Sequence, residues 1–188
     1  MDKREMILGK TLKLFEHRGY YGLSVAEIAD ACGIARGSLY SHFDSKQDLV
    51  NALYIHWKKV LLEYVQTDLH LYSGREKHKK LWSNLVSYAA EHPYALSFLE
   101  SQQHATYLSE EAIAIEVAVN KFAETTYCEI MDMSEIKPQV MEILLSVTYG
   151  GYVQLAKMSK LGQISLDDTN AIRIEEVMWK VIQMQNIL

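Results

Sequence analysis

Side chains that can bind a nucleic acid are concentrated in a short stretch of this chain. An arginine can grip a phosphate or read a guanine edge, and tyrosine or histidine can hydrogen-bond to phosphate oxygens. A glycine lets another backbone approach closely. The stretch contains Arg36, Gly37, Ser38, Tyr40, Ser41, His42 and Lys46. These residue types and their spacing predict a surface that binds DNA.

The flanking sequence predicts the helices that would position this set. Apolar residues recur at helical spacing over residues 5–18, and Gly19 follows as a helix stop. Ser24 and Glu27 form the Ser-x-x-Glu pattern of a capping box. A second, short helix should therefore begin after Ser24 and end near Ala31.

A third short helix is predicted after the turn at Gly33. It begins at residue 35 or 36 and ends at residue 41 or 42, and a fourth helix begins at the capping pattern of residues 45–48. Two short helices joined by a glycine-containing turn of three or four residues are the helix-turn-helix layout. The second helix of such a pair enters the major groove of DNA.

Charge is distributed unevenly along the chain. The whole sequence of 188 residues has a net charge of −5, which by itself is unusual for a DNA-binding protein. Residues 1–60 contain nine Lys and Arg against seven Asp and Glu, whereas residues 61–188 contain ten against seventeen. A difference this small could arise by chance, so it supports a basic N-terminal part only together with the motifs.

Composition narrows the fold class. Two prolines and nine glycines are too few for an all-β chain of this length, and 49% hydrophobic residues suffice for a core. Cys32 and Cys128 lie far apart, so we expect no disulfide framework and no zinc site, and Cys32 should be a small buried residue. No window contains about 18 uninterrupted apolar residues. We therefore expect a mostly helical, cytoplasmic protein.

The segment from Ser24 to Leu49 resembles the DNA-binding signature of the tetracycline-repressor (TetR) family. Nearly every fixed position of that signature is filled, including Gly37-x-x-Tyr40-x-His42-Phe43. With the first and fourth helices, the resemblance covers about the first third of the chain. One departure is Ala35, where the family usually has Ser or Thr. Alanine caps a helix less well than serine, typically by about 1 kcal/mol.

The resemblance implies an all-α fold of about nine helices. Residues 1–48 would form a three-helix helix-turn-helix domain that binds DNA. Residues 49–188 would form a helical domain that binds a small ligand and makes the dimer.

The resemblance also assigns roles to individual residues. The residues that would face DNA are Ser24, Arg36, Gly37, Ser38, Tyr40, His42 and Lys46. The residues that would lie in the core are Ile28, Ala29, Leu39, Phe43 and Leu49. Two alternatives stay open, because Tyr40 could pack on the first helix and His42 could be an ordinary surface histidine.

Five further helices are predicted in the remaining two-thirds of the chain. They span about 81–91, 94–104, 110–131 and 138–161, and the last begins near residue 168. In the family the final two helices pair with their symmetry mates, and their apolar residues here are Val140, Leu144, Val147, Leu155, Met158, Ile172, Val177, Met178, Val181 and Ile182. Gly150 and Gly151 could mark a close helix approach at the interface, a kink or room for a ligand, and close approach is favoured.

A ligand pocket would lie among the fourth to eighth helices and use amphipathic aromatic walls. The candidate lining residues are Trp82, Tyr88, Phe98, His104, Tyr107, Phe122 and Tyr149. Any single one could instead be an ordinary core aromatic. Glu100 and His104 have i, i+4 spacing, but the sequence supplies no third ligand for a metal.

The sequence contains no phosphate-binding glycine loop, nucleophile elbow or paired metal motif, so neither catalysis nor a cofactor is expected. The predicted function is that of a ligand-responsive transcriptional regulator. It would be a homodimeric repressor, released from a palindromic operator when a small molecule of unknown identity binds the C-terminal domain. The alternative is a helical adaptor for protein interactions that retains a DNA-binding module.

Overall fold

The structure is a computed structural model, and it describes residues 2–183. Over that range the chain forms nine α-helices and no β-strand, which confirms the predicted fold class. The helices are α1 (Lys3–Arg18), α2 (Val25–Cys32), α3 (Arg36–Tyr40), α4 (Lys46–Gln66), α5 (Gly74–Glu91), α6 (Pro93–Gln102), α7 (Glu110–Met131), α8 (Pro138–Lys160) and α9 (Asp168–Gln183). A 3-10 turn, Leu69–Leu71, precedes α5.

The predicted helix boundaries agree with the structure except at α5. This helix begins at Gly74, whereas the apolar pattern indicated a start near Leu81. The missing turns contain Lys77 and His78, which are polar in type and yet buried. Hydrophobic periodicity does not detect such residues, because they are buried by pairing with charged partners.

The chain divides into two compact units. The first unit consists of Met1–Val60 and Tyr94–Glu116, and the second of Leu61–Pro93 and Val117–Leu188. The divisions fall inside α4 and α7 and beside the first residue of α6. The functional boundary between residues 48 and 49 stays a prediction. Residues 94–116 belong compactly with the N-terminal helices.

The core of the first unit contains the apolar faces of α1, α2 and α4. All five residues expected there are buried, namely Ile28, Ala29, Leu39, Phe43 and Leu49. Phe15 of α1 also meets Phe98 of α6 edge to face, with ring centroids 5.5 Å apart. The N-terminal helices therefore share a core with α6.

The core of the second unit lies between α7, α8 and α9. Its buried cluster consists of Tyr127, Ile136, Met141, Leu144 and Ile182. The Tyr127 hydroxyl donates to Thr148 Oγ1 at 2.7 Å, and burial raises the pKa of Tyr127 to about 12. Satisfied polar atoms of this kind fix how the helices pack.

The ten apolar residues predicted for a dimer surface divide into three groups. Four are half-buried, namely Val140, Leu155, Met158 and Val181. Leu144, Met178 and Ile182 are buried within the unit, so assigning them to the dimer surface was wrong. Helix periodicity marks apolar faces but not which neighbour covers them. Val147, Ile172 and Val177 are exposed, as is Ile143 of α8, which was not among the predicted residues.

The two adjacent glycines of α8 have different surroundings. A Cβ built on Gly151 would lie 2.6 Å from Met178 Cε, so glycine at this position makes room for the end of an α9 side chain. A Cβ on Gly150 would meet no atom within 4 Å. This contact lies within one protomer, so close helix approach at the dimer interface stays a prediction.

Over residues 2–183, no helix combines the length and the hydropathy needed to cross a membrane.

Candidate nucleic-acid interface

The start of α2 is fixed by the predicted capping box. The Glu27 backbone N–H donates to Ser24 Oγ at 3.2 Å, and the Ser24 backbone N–H donates to Glu27 Oε2 at 2.9 Å. The Ser24 hydroxyl donates to the same carboxylate at 2.8 Å. These bonds from Ser24 lower the pKa of Glu27, and Arg18, which pairs with Glu27, lowers it further. The side chain of Ser24 is therefore already engaged in the cap.

The turn between α2 and α3 depends on a left-handed residue. Gly33 has φ 68° and ψ 35°, which glycine adopts without a steric penalty. The Ile34 N–H donates to the Ala29 carbonyl at 3.0 Å and closes the helix end. Cys32 is buried just before the turn, as expected, and burial raises the pKa of its thiol.

Two buried apolar residues anchor α3 to the core of the first unit. Leu39 is fully buried, Phe43 is 1% exposed, and the Arg4 guanidinium lies 5.1 Å from the Phe43 ring centroid. At its N-terminus, Ala35 is the N-cap and provides no side-chain hydrogen bond. The helix is positioned by packing rather than by a cap.

The opposite face of α3 is exposed. Arg36 and Gly37 are exposed, and Tyr40 keeps 50% of its surface accessible. A Cβ on Gly37 would meet no atom within 4 Å, so no packing demand within the described structure requires glycine at this position. Within residues 2–183, Arg36 makes no ion pair. This face is available to an outside partner.

Two other predicted DNA contacts lie at the edges of α3. Ser38 is half-buried, its Oγ accepts from Lys3 Nζ at 2.8 Å, and its carbonyl accepts from Ser41 Oγ at 2.8 Å. His42 is half-buried beside Phe43, with ring centroids 6.4 Å apart. Sequence reasoning missed Lys3, because its neighbour in space is 35 residues away.

Lys46 folds back onto the turn between α1 and α2. Its ammonium donates to the Tyr20 carbonyl and lies 4.3 Å from the Tyr20 ring centroid. Burial lowers the pKa of Lys46, and the charge of Glu27 partly opposes that effect. The structure thus places Lys46 at the start of α4 with its charge engaged inside the first unit.

Tyr107 lies in the first unit. Its ring stacks on Tyr20 at 4.2 Å, and its carbonyl accepts from Gln47 Nε2 at 3.0 Å and Asn51 Nδ2 at 3.1 Å. Burial raises the pKa of Tyr107 to about 12, as do the nearby tyrosines. This predicted pocket residue therefore contacts the turn between α1 and α2 and the first two turns of α4.

The seven predicted ligand residues do not share one unit. Phe98, His104 and Tyr107 lie in the first, whereas Trp82, Tyr88, Phe122 and Tyr149 lie in the second. Tyr88 and Phe98 are almost completely buried, and the Trp82 N–H donates to the Ala171 carbonyl at 2.8 Å. His104 is exposed. A ligand-binding role for this set stays a prediction.

The first unit also contains an open groove of about 690 Å³, lined by α1, α4 and the beginning of α7. The groove includes Asp48, His56, Lys59, Glu110 and Glu111 but none of the predicted ligand residues. Within the described part of the chain, no three His, Cys, Asp or Glu side chains are grouped to hold a metal ion.

Two buried charge clusters were missed by sequence reasoning. In the second unit, Glu175 of α9 accepts from Arg75 and lies 2.5 Å from His78 Nδ1, both of α5. In the first unit, Glu116 accepts from Tyr54 and pairs with Lys58, each at 2.6 Å. The partners are 58 to 100 residues apart, so no local pattern could show them.

Comparison with known proteins covers both parts of the chain. A family model described as "Bacterial regulatory proteins, tetR family" matches residues 7–53, and one described as "Tetracyclin repressor-like, C-terminal domain" matches residues 56–184. The Rhodococcus jostii repressor KstR2 is 45% identical over 51 residues, which are 27% of this chain and 25% of that protein. Two HTH-type transcriptional regulators of Bacillus subtilis, YerO and YuxN, also match. The matched segments cover between 17% and 38% of the lengths of YerO, YuxN and KstR2.

Longer matches are more distant. A probable acrEF/envCD operon repressor of Escherichia coli is 23% identical over 175 residues, covering 86% of this chain and 79% of that protein. A TetR family transcription regulator from Marinobacter aquaeolei has a TM-score of 0.83 at 19% identity, covering 95% and 94% of the two chains. FadR from Bacillus subtilis, solved with stearoyl-CoA, has a TM-score of 0.72 at 18% identity, covering 95% and 96%. The structural likenesses establish the fold, and the family models, which together match most of the sequence, show that this chain belongs to the TetR family of bacterial regulatory proteins.

Proposed function

We propose that this chain is a DNA-binding transcriptional repressor that a small molecule releases from its operator. The observation that carries the proposal is the exposed face of α3, where Arg36, Gly37 and Tyr40 make no contact that would occupy them within the described structure. Arginine at this position can read guanine, and a glycine allows the phosphate backbone to come close. Membership of a family of regulatory proteins supports a DNA-binding role for this face.

The proposed DNA contacts are those the sequence indicated. They are Ser24, Arg36, Gly37, Ser38, Tyr40, His42 and Lys46. Ser24 and Lys46 would first give up part of their present hydrogen bonding. Their contribution to affinity should therefore be smaller than that of Arg36.

A palindromic operator requires a two-fold dimer. Ile143 and Val147 of α8 and Ile172 and Val177 of α9 are exposed apolar residues on two helices that pack together. Covering them with a second copy removes apolar surface from water. We expect Val147→Glu with Val177→Glu to give monomers by light scattering and to abolish operator binding.

Regulation would act through a change in the spacing of the two recognition helices. Helix α4 begins beside α3 and continues past the division between the units, so it is the proposed lever. A ligand shifts this equilibrium only by its differential affinity for the two conformers. FadR was solved with stearoyl-CoA, so long-chain acyl-CoA is the first effector class to test. An effector that bound without changing operator affinity would contradict the coupling.

A pair of glycine variants tests the DNA interface. Gly37→Ala and Gly9→Ala each add a methyl group to a helix where no atom lies within 4 Å. Alanine favours a helix over glycine by up to about 1 kcal/mol, so neither variant should be less stable than the wild type. We expect Gly37→Ala to weaken operator binding at least tenfold and Gly9→Ala to leave it unchanged.

The operator for this test would come from genomic binding selection with the wild-type protein. Enrichment of a palindrome supports the repressor. Failure to enrich any sequence would sink the proposal and leave the interaction adaptor as the remaining function.

A further inference from the structure

Lys3 brings a charge from outside the helix-turn-helix to the middle of α3. It is the first residue of α1, and its ammonium donates to Ser38 Oγ at 2.8 Å across 35 residues of sequence. The bond lies at the exposed surface. Any partner that covers α3 would therefore meet Lys3 as well.

The charge of Lys3 is not neutralised by a paired carboxylate. Within residues 2–183, no ion pair includes Lys3. The two acidic residues nearest to it in sequence, Asp2 at the N-cap of α1 and Glu5 in its first turn, form the capping box of that helix. Helix α3 itself contributes one cation, Arg36, so Lys3 doubles the cationic side chains at α3.

The other lysines of α1 differ from Lys3. Lys10 lies 3.4 Å from the carbonyls of Ala31 and Cys32, where it satisfies the C-terminal end of α2. Lys13 is exposed and makes no hydrogen bond or ion pair that the structure records. Lys10 therefore has a structural role, and Lys13 provides a matched control for charge.

The bond from Lys3 also affects which hydrogen bonds the Ser38 hydroxyl can make to DNA. A lysine ammonium has three donors and no acceptor, so Ser38 Oγ must accept from it. This bond occupies one of the two acceptor lone pairs of the hydroxyl, and the positive charge of Lys3 beside the oxygen disfavours a second N–H donor there. Donation of the single hydroxyl proton of Ser38 is therefore the favoured hydrogen bond to a partner. A donor suits the acceptor edges of guanine or thymine and does not suit the amino group of cytosine.

We propose that Lys3 is a specificity-determining residue of the DNA interface, because it holds Ser38 as a hydrogen-bond donor toward a guanine or thymine edge. The inference rests on the proposed function as a DNA-binding repressor. It adds a residue of α1 to a recognition surface otherwise built from α2, α3 and the start of α4.

The test is a binding selection from randomised double-stranded DNA with the full chain. The proteins compared are the wild type, Lys3→Met, Lys3→Arg, Lys13→Met and Ser38→Ala. We expect Lys3→Met and Ser38→Ala to lose the preference for guanine or thymine at the same operator position, with about a tenfold loss of affinity. Lys13→Met should behave as the wild type, and Lys3→Arg should keep the preference.

The outcomes separate the inference from the proposed function. If Lys3→Met keeps the wild-type base preference, or if Lys13→Met loses it equally, the role of Lys3 is wrong while the repressor stands. If the wild type enriches no sequence, both are wrong. Thermal unfolding of each variant controls for folding, and Ser38→Ala tests the same bond from its other partner.

Discussion

Each of the two units contains an arginine and a histidine close together in sequence, and the structure uses them in opposite ways. Arg36 and His42 lie on or beside α3, where Arg36 is exposed and forms no ion pair with a carboxylate of residues 2–183. Arg75 and His78 lie on α5, and both contact the buried carboxylate of Glu175. The arginine is therefore exposed to an outside partner in the first unit, whereas the arginine and histidine of the second unit both contact a buried carboxylate.

The second pair is enclosed on several sides. The Arg75 guanidinium lies 4.9 Å from the Trp179 ring centroid, and the His78 ring lies 5.4 Å from it. The side chains of His78 and Glu175 are 4% and 5% exposed. A carboxylate buried to this extent needs a counter-charge, here that of Arg75, since an unpaired buried charge is strongly unfavourable. A charged residue that remains unpaired and exposed is instead a candidate for recognition.

The largest effect should come from breaking the buried cluster. Glu175→Gln leaves Arg75 partly buried without a counter-charge, so we expect the free energy of unfolding to fall by about 3 kcal/mol. Urea denaturation measures it. The control is Glu76→Gln, which breaks an exposed pair with Lys79 and should cost no more than about 0.5 kcal/mol. Equal effects for the two variants would contradict the comparison.

Removing each arginine should separate binding from stability. Arg36→Ala is expected to weaken operator binding by about tenfold to a hundredfold, since a bidentate base contact is worth about 1–3 kcal/mol. Its unfolding free energy should match that of the wild type. Arg75→Ala should lower the unfolding free energy instead. Gel-shift titration measures operator binding by both variants, and urea denaturation measures their stability. Loss of stability in Arg36→Ala with unchanged stability in Arg75→Ala would contradict the comparison.

The helix-turn-helix could be predicted because its signals are local. Ser24 and Glu27 are three residues apart, and the turn needs one left-handed residue, which Gly33 provides. The five core positions from α2 to α4 followed from the same short signature. Short-range hydrogen bonds and backbone preferences carry over directly from sequence to structure.

The remaining contacts depend on packing between distant segments. Arg75 meets Glu175 across 100 residues, and Tyr20 stacks on Tyr107. An aromatic residue with helical spacing looks the same whether it lines a cavity or packs against another helix. For that reason the sequence placed Phe98 and Tyr107 in one set with Trp82, although they belong to different units.

Lowering the pH should decrease the folding stability of the second unit, because burial favours the unprotonated form of His78 in the folded state. Burial lowers the pKa of His78; Arg75 also lowers it, while the hydrogen bond and charge of Glu175 oppose the shift. Below the ordinary histidine pKa of about 6.5, the unfolded chain binds a proton that the folded chain does not, so stability falls as pH decreases. One proton limits the slope to about 1.4 kcal/mol per pH unit.

The measurement is the urea midpoint between pH 7.5 and 5.5. His78→Gln should make the dependence shallower than in the wild type. Burial also lowers the pKa of His92, so some dependence of the same sign should remain. A slope that His78→Gln leaves unchanged would assign the acid sensitivity elsewhere.

The smallest expected effect concerns the departure from the family signature at Ala35. This residue has extended backbone angles, φ −65° and ψ 147°, and no side-chain bond to the first turn of α3. Ala35→Ser would add an acceptor for a backbone N–H there, worth about 0.5–1 kcal/mol of stability. Because packing through Leu39 and Phe43 already positions α3, we expect higher thermal stability with operator affinity changed less than threefold. A large gain in affinity would mean instead that α3 is poorly ordered without its cap, and that exposure of Arg36 is not sufficient for recognition.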